Sequence, residues 1–106
     1  MSDNDISVMD PDLKDKEELK NKKPNMWQVV FLNDDFTPMD FVVEMLQKYH
    51  SKSLEEASKI MMDVHEKGKG IAGTYTHEIA ETKMHMVNHR AKASAHPLRT
   101  SIEEVS

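Results

Sequence analysis

The apolar positions of this chain follow two rhythms. From Met26 to Leu32 they run almost unbroken, with Val29, Val30, Phe31 and Leu32 in succession, as a buried strand requires. The run stops at Asn33-Asp34-Asp35, an acidic turn. Beyond it Met39, Val42, Val43, Leu46 and Tyr49 recur every three or four residues, the period of a helix with one apolar face. Thr37 as N-cap, Pro38 as first helical residue and Asp40 in the first turn place this helix at Pro38 to about Tyr49. Ser53-Leu54-Glu55-Glu56 is a capping box, and the stripe Leu54, Ala57, Ile60, Met61 and Val64 carries a second helix as far as Gly68. Gly70 to Tyr75 reads as a short strand. Thr76 caps a third helix from His77 to about Lys92, its buried stripe being Ile79, Ala80, Met84, Val87 and Ala91. After Pro97, the alternation of Leu98, Thr100 and Ile102 with polar residues predicts an edge strand.

The order strand, helix, helix, strand, helix, strand predicts an α+β fold: a small three-stranded antiparallel sheet packed on three helices. The 106 residues suffice for one domain, and 38% hydrophobic residues suffice for one core. Residues 1–25 have a different composition. Acidic and lysine side chains mix there, and Ile6, Val8, Met9, Leu13 and Leu19 are too scattered to form a face. Such a segment cannot offset its ordering entropy, so residues 1–25 are expected to be a flexible extension and 26–106 the folded domain, with Pro24 at the boundary.

Composition narrows the chemistry. No cysteine is present, which excludes disulfides, thiolate metal sites and cysteine nucleophiles. A net charge of -5 disfavours nucleic acid as a partner, since phosphate binding needs a concentrated basic surface. No apolar run approaches the roughly 18 residues that span a bilayer, and the first residues lack the order of a secretory signal. The expectation is a cytoplasmic monomer without membrane attachment. His85 and His89 have the i, i+4 spacing of metal ligands but no evident third ligand, and Asp34, Asp35 and Asp40 do not fit a calcium loop. No cofactor is implied. The pattern that remains is the acidic turn set against Met39 and Val42: hydrogen-bond acceptors at a lip, with grease below. It suits a ligand carrying an ammonium group and an apolar side chain, although a merely solvated strand-to-helix turn would have the same sequence. Should the first two helices pack side by side, His65 would approach that turn.

Several separated strings carry a resemblance. Val30-Phe31-Leu32-Asn33-Asp34-Asp35-Phe36-Thr37-Pro38-Met39-Asp40-Phe41-Val42 is similar to the signature of the ClpS family, adaptors of the bacterial ClpAP protease. Ala57-Ser58-Lys59-Ile60-Met61-Met62-Asp63-Val64-His65 through Gly68, Ala80-Glu81-Thr82-Lys83 and His96-Pro97-Leu98 resemble it too, in the family's order. The resemblance covers about Pro24 to Ile102. It implies a non-enzymatic adaptor that binds substrate proteins and peptides through a free N-terminal Phe, Tyr, Trp or Leu, the N-degron, and delivers them to the ClpA AAA+ unfoldase. Asn33, Asp34 and His65 would engage the α-amino group and first peptide units. Asp35 and Thr37 would shape the rim, and Met39, Val42, Met61, Val64 and Leu98 would line the side-chain pocket. Glu78 and Lys83 would dock on the N-terminal domain of ClpA. Phe36 stands where the family also has Tyr.

At the pocket mouth Met39 would collide with β-branched side chains, whose bulk lies near the backbone, and so select by shape. Two readings from other classes stay beside this one: a metal-dependent hydrolase using Asp35 and His65, and an RNA-associated module of the kind found in the ribosomal stalk protein. The acidic balance disfavours the second.

Overall fold

In the computed structural model, which describes residues 25–105, the elements follow the expected order. They are β1 (Met26–Leu32), α1 (Met39–His50), α2 (Leu54–Lys67), β2 (Lys69–Thr76), α3 (His77–Ala93) and β3 (Arg99–Val105). The extension expected at residues 1–25 lies, apart from Asn25, outside the described residues. The strands form one antiparallel sheet in the order β2-β1-β3, so the most apolar strand is central and takes hydrogen bonds on both edges.

Val29 and Phe31 point into the core formed with the helices, among Phe41, Met45, Leu46, Val64, Val87 and Leu98. Val30 points the other way yet is equally inaccessible to solvent. Its neighbours in register are Ile71 and Ser101, and Lys69 on β2 reaches Glu103 on β3 at 3.5 Å across the same face. Narrow cover on the second face explains why β1 is a continuous apolar run and does not alternate.

The helices are present, but their buried faces differ from the expected stripes. In α1 the buried residues are Phe41, Val42, Met45, Leu46 and His50, while Met39 is 44% exposed. Two overlapping apolar stripes run along this helix, and period alone does not choose between them. Leu54 and Ile79, both expected in the core, are 63% and 49% exposed. Each sits in the first turn of its helix, on the side turned to solvent.

Helix α1 also starts one residue later than expected. Pro38, with extended backbone, is its N-cap, and Thr37 does not cap it. The carbonyl of Pro38 accepts from the N–H groups of Phe41 and Val42. At α2 the capping box forms as expected: the Glu56 N–H donates to Ser53 Oγ at 3.1 Å and the Ser53 N–H to Glu56 Oε1 at 3.0 Å. Thr76 precedes α3 but makes no side-chain cap.

Close approach of α2 to β2 depends on glycine. A methyl group on Gly70 would sit 2.8 Å from Val64 Cγ2 and 2.9 Å from the Ile60 carbonyl oxygen. On the other side Asn88 ties α3 to β3. Its Oδ1 accepts from the Thr100 N–H at 2.8 Å and hydroxyl at 3.0 Å, while its amide donates to the Thr100 carbonyl at 3.1 Å. Leu98, two residues upstream, is held in the core by this clamp.

His50 ends α1 as a buried ring. Nδ1 lies 2.8 Å from the Tyr75 hydroxyl, and the ring meets Phe31 edge-on at 5.6 Å. Nε2 is buried without a partner among the described residues. Burial, with the charges of Lys83 and Lys52, lowers its pKa from 6.5 to about 4. The unfolded chain therefore binds a proton that the folded chain refuses, and stability must fall as pH drops from 6.5 towards 4. The loss expected from this residue is about 3 kcal/mol across that window. Urea unfolding at pH 7, 6 and 5 should show the decline in wild type and a shallower one in His50→Phe; equal slopes in the two proteins would contradict it.

Candidate ligand-binding site

The acidic turn and the end of α2 are joined by a backbone hydrogen bond, from the Asn33 N–H to the Gly68 carbonyl at 3.0 Å. Gly68 closes α2 in the left-handed conformation, φ 90°, which costs glycine nothing. The next residue, Lys69, pairs with Leu32. Consequently the last turn of α2, with Val64 and His65, is fixed beside the residues that follow β1.

The turn is organised by Asp34. Its Oδ1 accepts from the N–H groups of Phe36 at 2.8 Å and Thr37 at 2.7 Å, and its Oδ2 accepts from the Thr37 hydroxyl at 2.8 Å. An aspartate bonded to the backbone two and three residues ahead is an Asx-turn. It explains the late start of α1, because the Thr37 hydroxyl is turned back to Asp34 and is not free to cap. Partial burial alone would favour the protonated carboxyl. The hydrogen bonds from Thr37 and Phe36, together with the nearby His96, outweigh that and hold its pKa below the usual value.

A cavity of about 190 Å³ opens between this turn, α1, α2 and Leu98, the residue before β3. Leu32, Asn33, Asp34, Asp35, Thr37, Met39, Val42, Met61, Val64, His65 and Leu98 line it. All ten residues expected at the lip or in the pocket are thus brought together, and His65 lines the same cavity as Asn33. Leu32 was not anticipated. As the last residue of the apolar run, next to the acidic turn, it carried a usable signal. Glu78 and Lys83 lie elsewhere, on α3. Glu78 is exposed, whereas the Lys83 ammonium donates to the Tyr49 carbonyl at 2.7 Å and lies 5.3 Å from the centre of the Tyr75 ring.

The cavity's chemistry is divided. Below are Val42, Val64, Met61 and Leu98, all apolar and mostly buried; above are the polar groups. Among the described residues no hydrogen bond or ion pair engages the side chains of Asn33, Asp35 or His65. Also among the described residues, no three His, Cys, Asp or Glu side chains are grouped to hold a metal ion, and no helix is long and apolar enough to cross a membrane.

An apolar cavity with a polar, negatively charged lip, on a three-stranded sheet backed by three helices, defines a small binding module. Comparison with known proteins agrees. The profile described as "ATP-dependent Clp protease adaptor protein ClpS" matches residues 22–101. The ATP-dependent Clp protease adapter protein ClpS of Herminiimonas arsenicoxydans is 51% identical over 90 residues, 85% of this chain and 88% of that protein. That of Deinococcus radiodurans is 48% identical over 90 residues, 85% of this chain and 80% of the relative. Among solved structures, Agrobacterium tumefaciens ClpS2 bound to L-phenylalaninamide superposes with a TM-score of 0.76 at 30% identity, covering 78% of this chain and all of that one. The chain belongs to the ClpS family of Clp protease adaptors.

The Asp34 bonds predict the response to mutation. Asp34→Ala removes three hydrogen bonds and should cost about 1–2 kcal/mol, in the range of a lost helix cap. Thr37→Val removes one and should cost less. Urea denaturation would measure both; an Asp34→Ala protein as stable as wild type would show that the turn does not depend on this carboxylate.

Proposed function

We propose that the cavity takes the first side chain of proteins beginning with Phe, Tyr, Trp or Leu, and that the chain is a non-enzymatic adaptor presenting them to the ClpA unfoldase of the ClpAP protease. The observation that carries this reading is the cavity's division into apolar walls and a polar lip, on which the side chains of Asn33, Asp35 and His65 have no partner among the described residues. A free N-terminal residue has the matching halves, a charged α-amine and, for these four amino acids, a large unbranched-at-β apolar side chain. The similar structure from Agrobacterium tumefaciens, whose ligand L-phenylalaninamide has both halves, supports it.

In this reading Asn33 and His65 receive the α-ammonium and the first peptide unit. Asp34 contributes negative charge while its oxygens hold the turn, and Asp35 offers the carboxylate that has no partner among the described residues. Met39 stands half-exposed at the mouth and excludes side chains that branch at Cβ. Val42, Met61, Val64 and Leu98, with Leu32, form the walls. Glu78 and Lys83 are proposed to meet the N-terminal domain of ClpA. The contacts of Lys83 with Tyr49 and Tyr75 would hold its stem in place for that role. Residues 1–25 are proposed to take part in delivery.

Burying a large apolar side chain contributes on the order of 1.5–3 kcal/mol, and charge-assisted hydrogen bonds add a similar amount. Neither half suffices for tight binding, so the site should require both. Calorimetry with peptides differing only in their first residue, each with a free or acetylated N-terminus, tests this. Phe and Leu peptides should bind, Val and Ser peptides should not, and acetylation should weaken the Phe peptide by about tenfold to a hundredfold. Equal affinity for the acetylated peptide would overturn the reading.

A further inference from the structure

The chain has nine methionines and no cysteine, so its oxidisable sulfur is all thioether. The environments of these methionines differ. Met45 is wholly buried in the core, and Met61 is partly buried in the cavity wall. Met26, Met62, Met86 and Met39 are each 40–45% exposed. Of these four, only Met39 lines the cavity. Of the two methionines that line the cavity, Met39 is therefore the more exposed and the more open to a small oxidant.

We propose that Met39 is an oxidation site, and that a peroxide acting there switches ligand binding off reversibly. The inference rests on the proposed function. A lone pair on the Met39 sulfur attacks one peroxide oxygen and forms the S–O bond as the O–O bond breaks. Sulfur loses two electrons, peroxide gains them, and with hydrogen peroxide the other oxygen leaves as water. The product is a sulfoxide, a strong hydrogen-bond acceptor on what had been an apolar, flexible gate. Packing Met39 over a bound aromatic or leucyl side chain would then strip water from the sulfoxide oxygen against the apolar walls Val42, Val64, Met61 and Leu98. Desolvating that oxygen disfavours the bound state by about tenfold or more in affinity. Methionine sulfoxide reductases, drawing electrons from a thiol, return the thioether, so the change is reversible.

The test uses the full chain and a Phe-initiated peptide. Affinity is measured before and after mild hydrogen peroxide, with peptide mass mapping of sulfoxide at each methionine, and again after treatment with reductases for both sulfoxide epimers and dithiothreitol. Oxidised wild type should bind at least about tenfold more weakly, and reduction should restore it. Met39→Leu, Met61→Leu and Met62→Leu are each compared with themselves before and after peroxide. Only Met39→Leu should be insensitive. Unchanged affinity when Met39 is mapped as sulfoxide would overturn the inference, as would a loss that Met39→Leu shares or that Met61→Leu abolishes. If the unoxidised protein does not bind the peptide, the proposed function falls and this inference with it; if it binds and oxidation changes nothing, this inference alone falls.

Discussion

The hydrogen bond from the Asn33 N–H to the Gly68 carbonyl is the constraint on which the site depends. It closes a ring of structure: β1 runs into the acidic turn, α1 and α2 follow, and the chain returns through Gly68 to pair with β1 at Leu32. Asn33 and His65 are far apart in sequence but are fixed at one end of one strand pair. Gly68 makes the return possible by adopting a positive φ, and Gly70 allows α2 to lie close against β2. Once that end is closed, the space between α1 and α2 cannot be filled by backbone. It is left as a cavity whose floor is core and whose lip is turn.

The two parts of the site are stabilised differently. The walls come from positions that also pack the core, Val42, Val64 and Leu98, so they are as rigid as the fold. The lip depends on side-chain hydrogen bonds within four residues, with one aspartate serving two backbone N–H groups and a hydroxyl. Asn33 and Asp35 flank that aspartate, and their positions follow from its bonds. A preorganised lip matters because acceptors that had to be ordered on binding would lose much of their contribution to entropy.

Much of this was legible in the sequence, for physical reasons that differ by residue. The unbroken apolar run of β1, the capping box at Ser53 and Glu56 and the glycine stop at Gly68 are local signals, and the structure has all three. The grouping of the ten lip and wall residues came from a resemblance spanning several motifs; no spacing rule would have brought Met61 to Met39. What was misread depended on tertiary choice. The buried face of α1 includes Phe41, Met45 and His50, because the sheet selects one of two apolar stripes and accepts a histidine bonded to Tyr75. Thr37 looked like a cap and is instead bound to Asp34, a competition between two local hydrogen bonds that composition does not resolve.

In the proposed function the closed end of the β1–β2 pair holds a ligand's charged head above and its apolar group below. A crystal structure of this chain with L-phenylalaninamide tests it most directly. The phenyl ring should lie between Met39 and Met61, with the ammonium within hydrogen-bonding distance of the Asn33-Asp34-Asp35 turn. A ring bound outside the cavity, or an ammonium directed away from that turn, would contradict it.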